Sequence, residues 1–104
     1  MILILKGAFP QKSINHAAKT FAALPPMPAT VKRQGPYFSF TGAEQINVTT
    51  LYSFNNELTF DGNKKFIEKR LQEFSNVPGF TYSLEAWLNM EEAILAVNSS
   101  QRQA

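Results

Sequence analysis

Apolar positions along the chain fall into successive runs whose period switches between two residues and about 3.6. The first run, Met1–Phe9, contains Ile2, Leu3, Ile4 and Leu5 without interruption before Lys6 breaks it. An unbroken apolar run of this length marks a strand covered on both faces, which places it centrally in a sheet. Pro10 ends it. Ile14, Ala17, Ala18, Phe21 and Leu24 then recur at helical spacing, which predicts a helix over 13–24 with Ser13 as its N-cap. Pro25 and Pro26 stop that helix, because consecutive prolines remove donors and clash with the preceding turn.

Two alternating runs follow, over 31–41 and 45–54, joined by a turn at Thr41-Gly42-Ala43-Glu44. In the first, Val31, Arg33, Gly35, Tyr37 and Ser39 share one face, with Lys32, Gln34, Pro36, Phe38 and Phe40 on the other. Pro36 lacks an N–H, so this strand belongs at a sheet edge or carries a bulge near Gly35-Pro36. In the second, Ile46, Val48, Thr50, Tyr52 and Phe54 form the buried face. A polar loop over 55–61 leads to a helix pattern over 63–75, with Phe66, Ile67, Arg70, Leu71 and Phe74 inward. Phe80–Leu88 alternates as a last strand, and Asn89 with Glu92 forms a capping box for a short closing helix. The remainder, 98–104, is a polar tail. The whole is one domain over 1–97, in the order β-α-β-β-α-β. That order is the split βαβ, or ferredoxin-like, arrangement: an α+β fold with an antiparallel four-stranded sheet.

Composition narrows the class of protein. The chain has 104 residues, 44% hydrophobic and 17% charged, a globular balance. Nine Phe, three Tyr and one Trp are more rings than so small a core needs, so a partner subunit is expected to cover some of them. Net charge is +2 and the basic residues are scattered, which argues against nucleic-acid binding. The absence of cysteine removes disulfides, thiolate metal sites and a Cys nucleophile. No apolar run reaches the length of a signal-peptide core or a membrane span, so a cytoplasmic location and no membrane partner are expected.

Candidate chemistry is sparse. His16, the single histidine, lies beside the apolar stripe of the first helix, and would titrate in a useful range as a base or ligand-binding group. Tyr37, Tyr52 and Tyr82, on three strands, would with Phe38 or Phe54 make an aromatic cleft for a planar ligand if they converge; otherwise each is an edge tyrosine with a wet hydroxyl. Arg70 turns partly inward with Phe66, Ile67 and Phe74, where a guanidinium needs a carboxylate, a carbonyl or a ligand unless it reaches the rim. Arg33 is a second anion-binding candidate, and Trp87 is expected at an interface. The glycines are isolated turn residues rather than a phosphate loop, and the glutamates form no metal cluster. No catalytic residue, metal or cofactor is assigned.

The segment order, with Val77-Pro78-Gly79-Phe80-Thr81-Tyr82 leading into the last strand and Trp87-Leu88 leaving it, resembles the dimeric α+β barrel superfamily. The resemblance is greatest to its small uncharacterised bacterial and archaeal members. It implies two protomers packed sheet against sheet, each with a pocket between its sheet and its helices. Some members are cofactor-free monooxygenases of quinol-like aromatics, and others bind or degrade haem. No local motif here carries their pocket residues over. The expectation is a homodimer that binds a small planar molecule; the alternative is a cofactor-independent monooxygenase-like enzyme acting on an aromatic substrate with His16 or a tyrosine as base.

Overall fold

The computed structural model describes residues 1–42, 44–54 and 59–103. Residues 55–58 of the expected loop, Ala43 of the expected turn and Ala104 lie outside them. The elements run β1 (Ile2–Pro10), α1 (Ile14–Ala23), β2 (Val31–Thr41), β3 (Gln45–Phe54), α2 (Phe60–Gln72), β4 (Thr81–Trp87) and α3 (Met90–Gln103). Short 3-10 turns precede α1 at Gln11–Ser13 and extend α2 at Glu73–Asn76. The fold is α+β, with one four-stranded antiparallel sheet and three helices.

The sheet order is β2-β3-β1-β4. β1 pairs antiparallel with β3 and with β4, and β3 pairs antiparallel with β2. β1 and β2 are thus parallel with β3 between them, and β3 and β4 are parallel with β1 between them. The uninterrupted apolar run of β1 does occupy the interior of the sheet, and proline-bearing β2 lies at an edge.

One face of the sheet meets the helices. Leu3, Leu5, Val31 and Tyr52 pack with Ile67 and Leu71 of α2. Phe9, Ile46 and Val48 pack with Ala17 of α1 and with Phe74 and Val77 beyond α2. Phe80 stacks between Phe9 and Phe74, at centroid distances of 6.2 and 5.0 Å. The opposite face has no helix over it. There Ile2 and Ile4, expected to be covered, are only half-buried, and they stand in register with Trp87 and Glu85 on one side and Ser53 and Leu51 on the other. An apolar run was read as burial on both faces; within this chain only one face is closed.

Three further details depart from the periodic reading. β2 carries its irregularity between Gln34 and Tyr37, so Phe38 pairs with Val48 and Phe40 with Ile46. The extra residue moves both phenylalanines to the helix face, with Arg33, and sends Tyr37 to the open one. Gly35 has φ +97° there, and a Cβ on it would stand 3.0 Å from the Thr49 carbonyl oxygen. Ser13 makes no capping bond; its Oγ donates to the Pro78 carbonyl at 2.9 Å, tying the start of α1 to the turn before β4. The expected polar tail continues α3 to Gln103. The capping box is present: the Glu92 N–H donates to Asn89 Oδ1 at 2.8 Å and the Asn89 N–H to Glu92 Oε1 at 3.1 Å. Glu92 also pairs with the Met1 ammonium at 2.6 Å. Among the described residues no helix is long and apolar enough to cross a membrane.

Candidate functional site

α1 is short, and its inward stripe has alanines where a close-packed helix would carry larger side chains. Ala17, in the buried cluster with Phe9 and Val48, and the exposed Ala18 are small, and the stripe predicted from periodicity also forms one wall of a cavity of about 250 Å³. Ile14, Phe21 and Leu24 complete that wall. The floor is Leu5, Phe9, Val48, Thr50 and Tyr52 from the sheet, and Arg70, Leu71 and Phe74 close the far side. Arg33, Pro36 and Phe38 of β2 line the remaining side. Phe21 and Phe38, 40% and 54% exposed, form the rim.

Polar groups are few. Arg70 is 8% exposed, and its Nη1 is buried with no hydrogen-bond partner. Burial lowers the pKa of its guanidinium; Tyr52 acts against that shift and Arg33 with it. The Arg33 guanidinium lies over the Phe21 ring, 5.3 Å from its centroid, a cation–π contact at the rim. Tyr52 is buried, and burial pushes its phenol above the ordinary range, with Arg70 and Arg33 pulling the other way. Its ring is therefore neutral at physiological pH and its O–H is a donor. Thr50 adds a second hydroxyl. Among the described residues, no acidic side chain lines the cavity. Two guanidiniums, a phenol and a threonine hydroxyl set in aromatic and aliphatic walls can take a planar apolar body with a polar or anionic group at one end.

Of the residues singled out from sequence, Tyr52 and Arg70 meet in this cavity, with Arg33 beside them. Tyr37 is on the open face, opposite Thr49. Tyr82 is on the helix side but outside the cavity, tilted against Phe80 with centroids 6.0 Å apart, and exposed. His16 is exposed on α1 and lines no part of the cavity. Of the two phenylalanines expected beside the tyrosines, Phe38 lines the cavity and Phe54 does not, whereas Thr50 and the two alanines carried no signal as lining. The position of Phe38 follows from the β2 irregularity, which the Gly35-Pro36 pair did signal. Among the described residues no three His, Cys, Asp or Glu side chains stand together as a metal site.

No protein-family model matches this chain, and no curated protein matches it in sequence. Two solved structures share the fold. One is a tripeptidase from Staphylococcus aureus subsp. aureus Mu50, at 12% identity and a TM-score of 0.55, over 98% of this chain and 34% of that one. The other is the aminopeptidase PepT from Bacillus cereus ATCC 10987, at 6% identity and a TM-score of 0.57, over 98% of this chain and 35% of that one. The chain therefore spans about a third of the length of the peptidases it matches. At such identities the likeness is one of fold alone.

Proposed function

We propose that the chain is a cytoplasmic homodimeric domain of ferredoxin-like, dimeric α+β barrel architecture that binds a small planar molecule in the cleft between its sheet and its helices. The cavity is the observation that carries this reading. An apolar cavity of about 150 Å³ takes up benzene, so one of about 250 Å³ with aromatic walls suits a one- or two-ring ligand. The strand order β2-β3-β1-β4, with α1 and α2 as two interleaved crossovers, supports the ferredoxin-like part. The uncovered sheet face supports the homodimer, since a sheet with helices on one side leaves its other side to water or to a partner. That face presents Ile2, Ile4, Leu51, Tyr37 and Trp87 among its polar residues. The peptidase activities of the two structural neighbours belong to chains about three times longer and form no part of the proposal.

Binding is favoured over oxygenase chemistry because the described residues of the cavity include no group suited to remove a proton near neutral pH. His16 is outside it, and the Tyr52 phenol is harder to ionise than an ordinary tyrosine. A thermal-shift screen with quinones, flavins, haem and small phenolics tests the reading. One planar class is expected to raise the melting temperature of the native chain, and Ala17→Leu, which puts a larger side chain into the cavity wall, to abolish that rise. A rise that survives Ala17→Leu would place the ligand elsewhere.

A further inference from the structure

Arg70 is the least expected group in the cavity. A guanidinium removed from water is costly unless hydrogen bonds and an opposite charge compensate it. Arg70 is more than nine-tenths buried and lines the cavity, and its Nη1 has no partner. The titratable groups that bear on it are the neutral Tyr52 phenol and a second guanidinium, Arg33, which makes its position worse. A fold-stabilising arginine would have a carboxylate or carbonyl beside it; this one has a phenol, a like charge and an apolar cavity. From outside the chain, an anion would answer all three features. It would pair with both guanidiniums and accept from the neutral Tyr52 hydroxyl.

We propose that the cleft is specific for an aromatic carboxylate, its ring among Phe9, Phe21, Phe38 and Phe74 and its carboxylate on Arg70, with Tyr52 and Arg33 as supporting donors. This assignment rests on the binding reading above and deepens it by naming the ligand's chemistry. A carboxylate matches the geometry of guanidinium in being planar and able to take two parallel N–H bonds. It brings one negative charge to a site whose own residues supply two positive ones. The aromatic rings account for the rest of the cavity wall.

The probes are 2-naphthoate and its neutral isostere 2-naphthamide, titrated calorimetrically into the full chain. The native protein is expected to bind naphthoate about 10- to 100-fold more tightly than naphthamide, the value of a charge-assisted hydrogen-bond pair. In Arg70→Met the naphthoate preference over naphthamide should vanish. The ligand-free Arg70→Met protein should melt at a higher temperature than the native one, which an arginine holding the fold together would not allow. Arg33→Gln, at the exposed rim, should reduce the preference severalfold. Equal binding of the two probes would overturn the carboxylate assignment and leave the planar-ligand reading standing. Failure of both probes to bind would overturn the two together. An unchanged preference in Arg70→Met and in Arg33→Gln would place the carboxylate on other groups and overturn the assignment.

Discussion

Arg70 and Tyr52 sit a helix and a strand apart in the chain and titrate in opposite senses in the fold. Burial holds the Tyr52 proton more tightly than the ordinary value of 10.0. Its contribution to stability is therefore complete below pH 10 and is lost as pH rises through the higher folded value. Burial shifts Arg70 down from the ordinary arginine value, so its charged form is disfavoured in the fold at every pH where unfolded arginine is charged. Two outcomes follow at this scale. The melting temperature of the native protein should fall as pH is raised from 9 to 11, and Tyr52→Phe should flatten that fall; an equal fall in both would remove Tyr52 as its source. Gly79 sets a third expectation. Its φ is +76°, and a Cβ there would come within 2.7 Å of the Pro10 ring. Gly79→Ala should cost about 1–3 kcal/mol, read as a drop in the denaturation midpoint. No change would mean that the turn before β4 relaxes freely.

At the scale of elements, α3 differs from the other helices because little of its surface is covered. Met90, Leu95 and Val97 are all more than half exposed, and the helix is held at its start by its own capping box and by the Met1–Glu92 pair. Asn89→Ala removes one half of the box, worth about 1 kcal/mol to the helix. The expected result is faster amide exchange over 90–99 with the main unfolding transition unmoved; a matching fall in global stability would show that α3 packs on the body. The same element shows the limit of periodic reading. Its capping box was legible because Asn89 and Glu92 are three residues apart, whereas its length was not, since the polar residues after Val97 carry no apolar stripe. β2 and β3 were legible to the residue, because strict alternation and a short polar turn leave little freedom. The faces of β2 were not. One bulged residue inverts every side chain after it, and only the suspicion of a bulge at Gly35-Pro36 was available. Arg70 was legible as an inward arginine from its spacing to Ile67 and Phe74, but the cavity was not. It depends on how far α1 stands from the sheet, a distance set by Ala17, Ala18 and the tie from Ser13 to Pro78, which no pattern along the chain encodes.

The whole molecule is extended for its size. Its radius of gyration is 16.1 Å, against about 13 Å for a compact chain of 100 residues. An exposed α3 and an open sheet face are both surfaces that a second copy would cover, in line with the proposed homodimer. Trp87 stands on that open face, in register with Ile2, and Leu51 with Ile4. At micromolar concentration the native mass should be twice that of the chain, and Leu51→Lys should return it to one chain without unfolding it. A native protein that is already monomeric would refute the dimer while leaving the cleft untouched, because every cavity wall comes from one chain. The central claim is the occupancy of that cleft. The most direct test is to titrate 2-naphthoate into isotope-labelled protein and follow its backbone amide resonances. The largest shifts are expected on Leu5, Phe9, Ala17, Val48, Thr50 and Leu71, with Ile4, Leu51 and Trp87 on the other face unmoved. Shifts confined to the open face, or none at saturating probe, would contradict that claim.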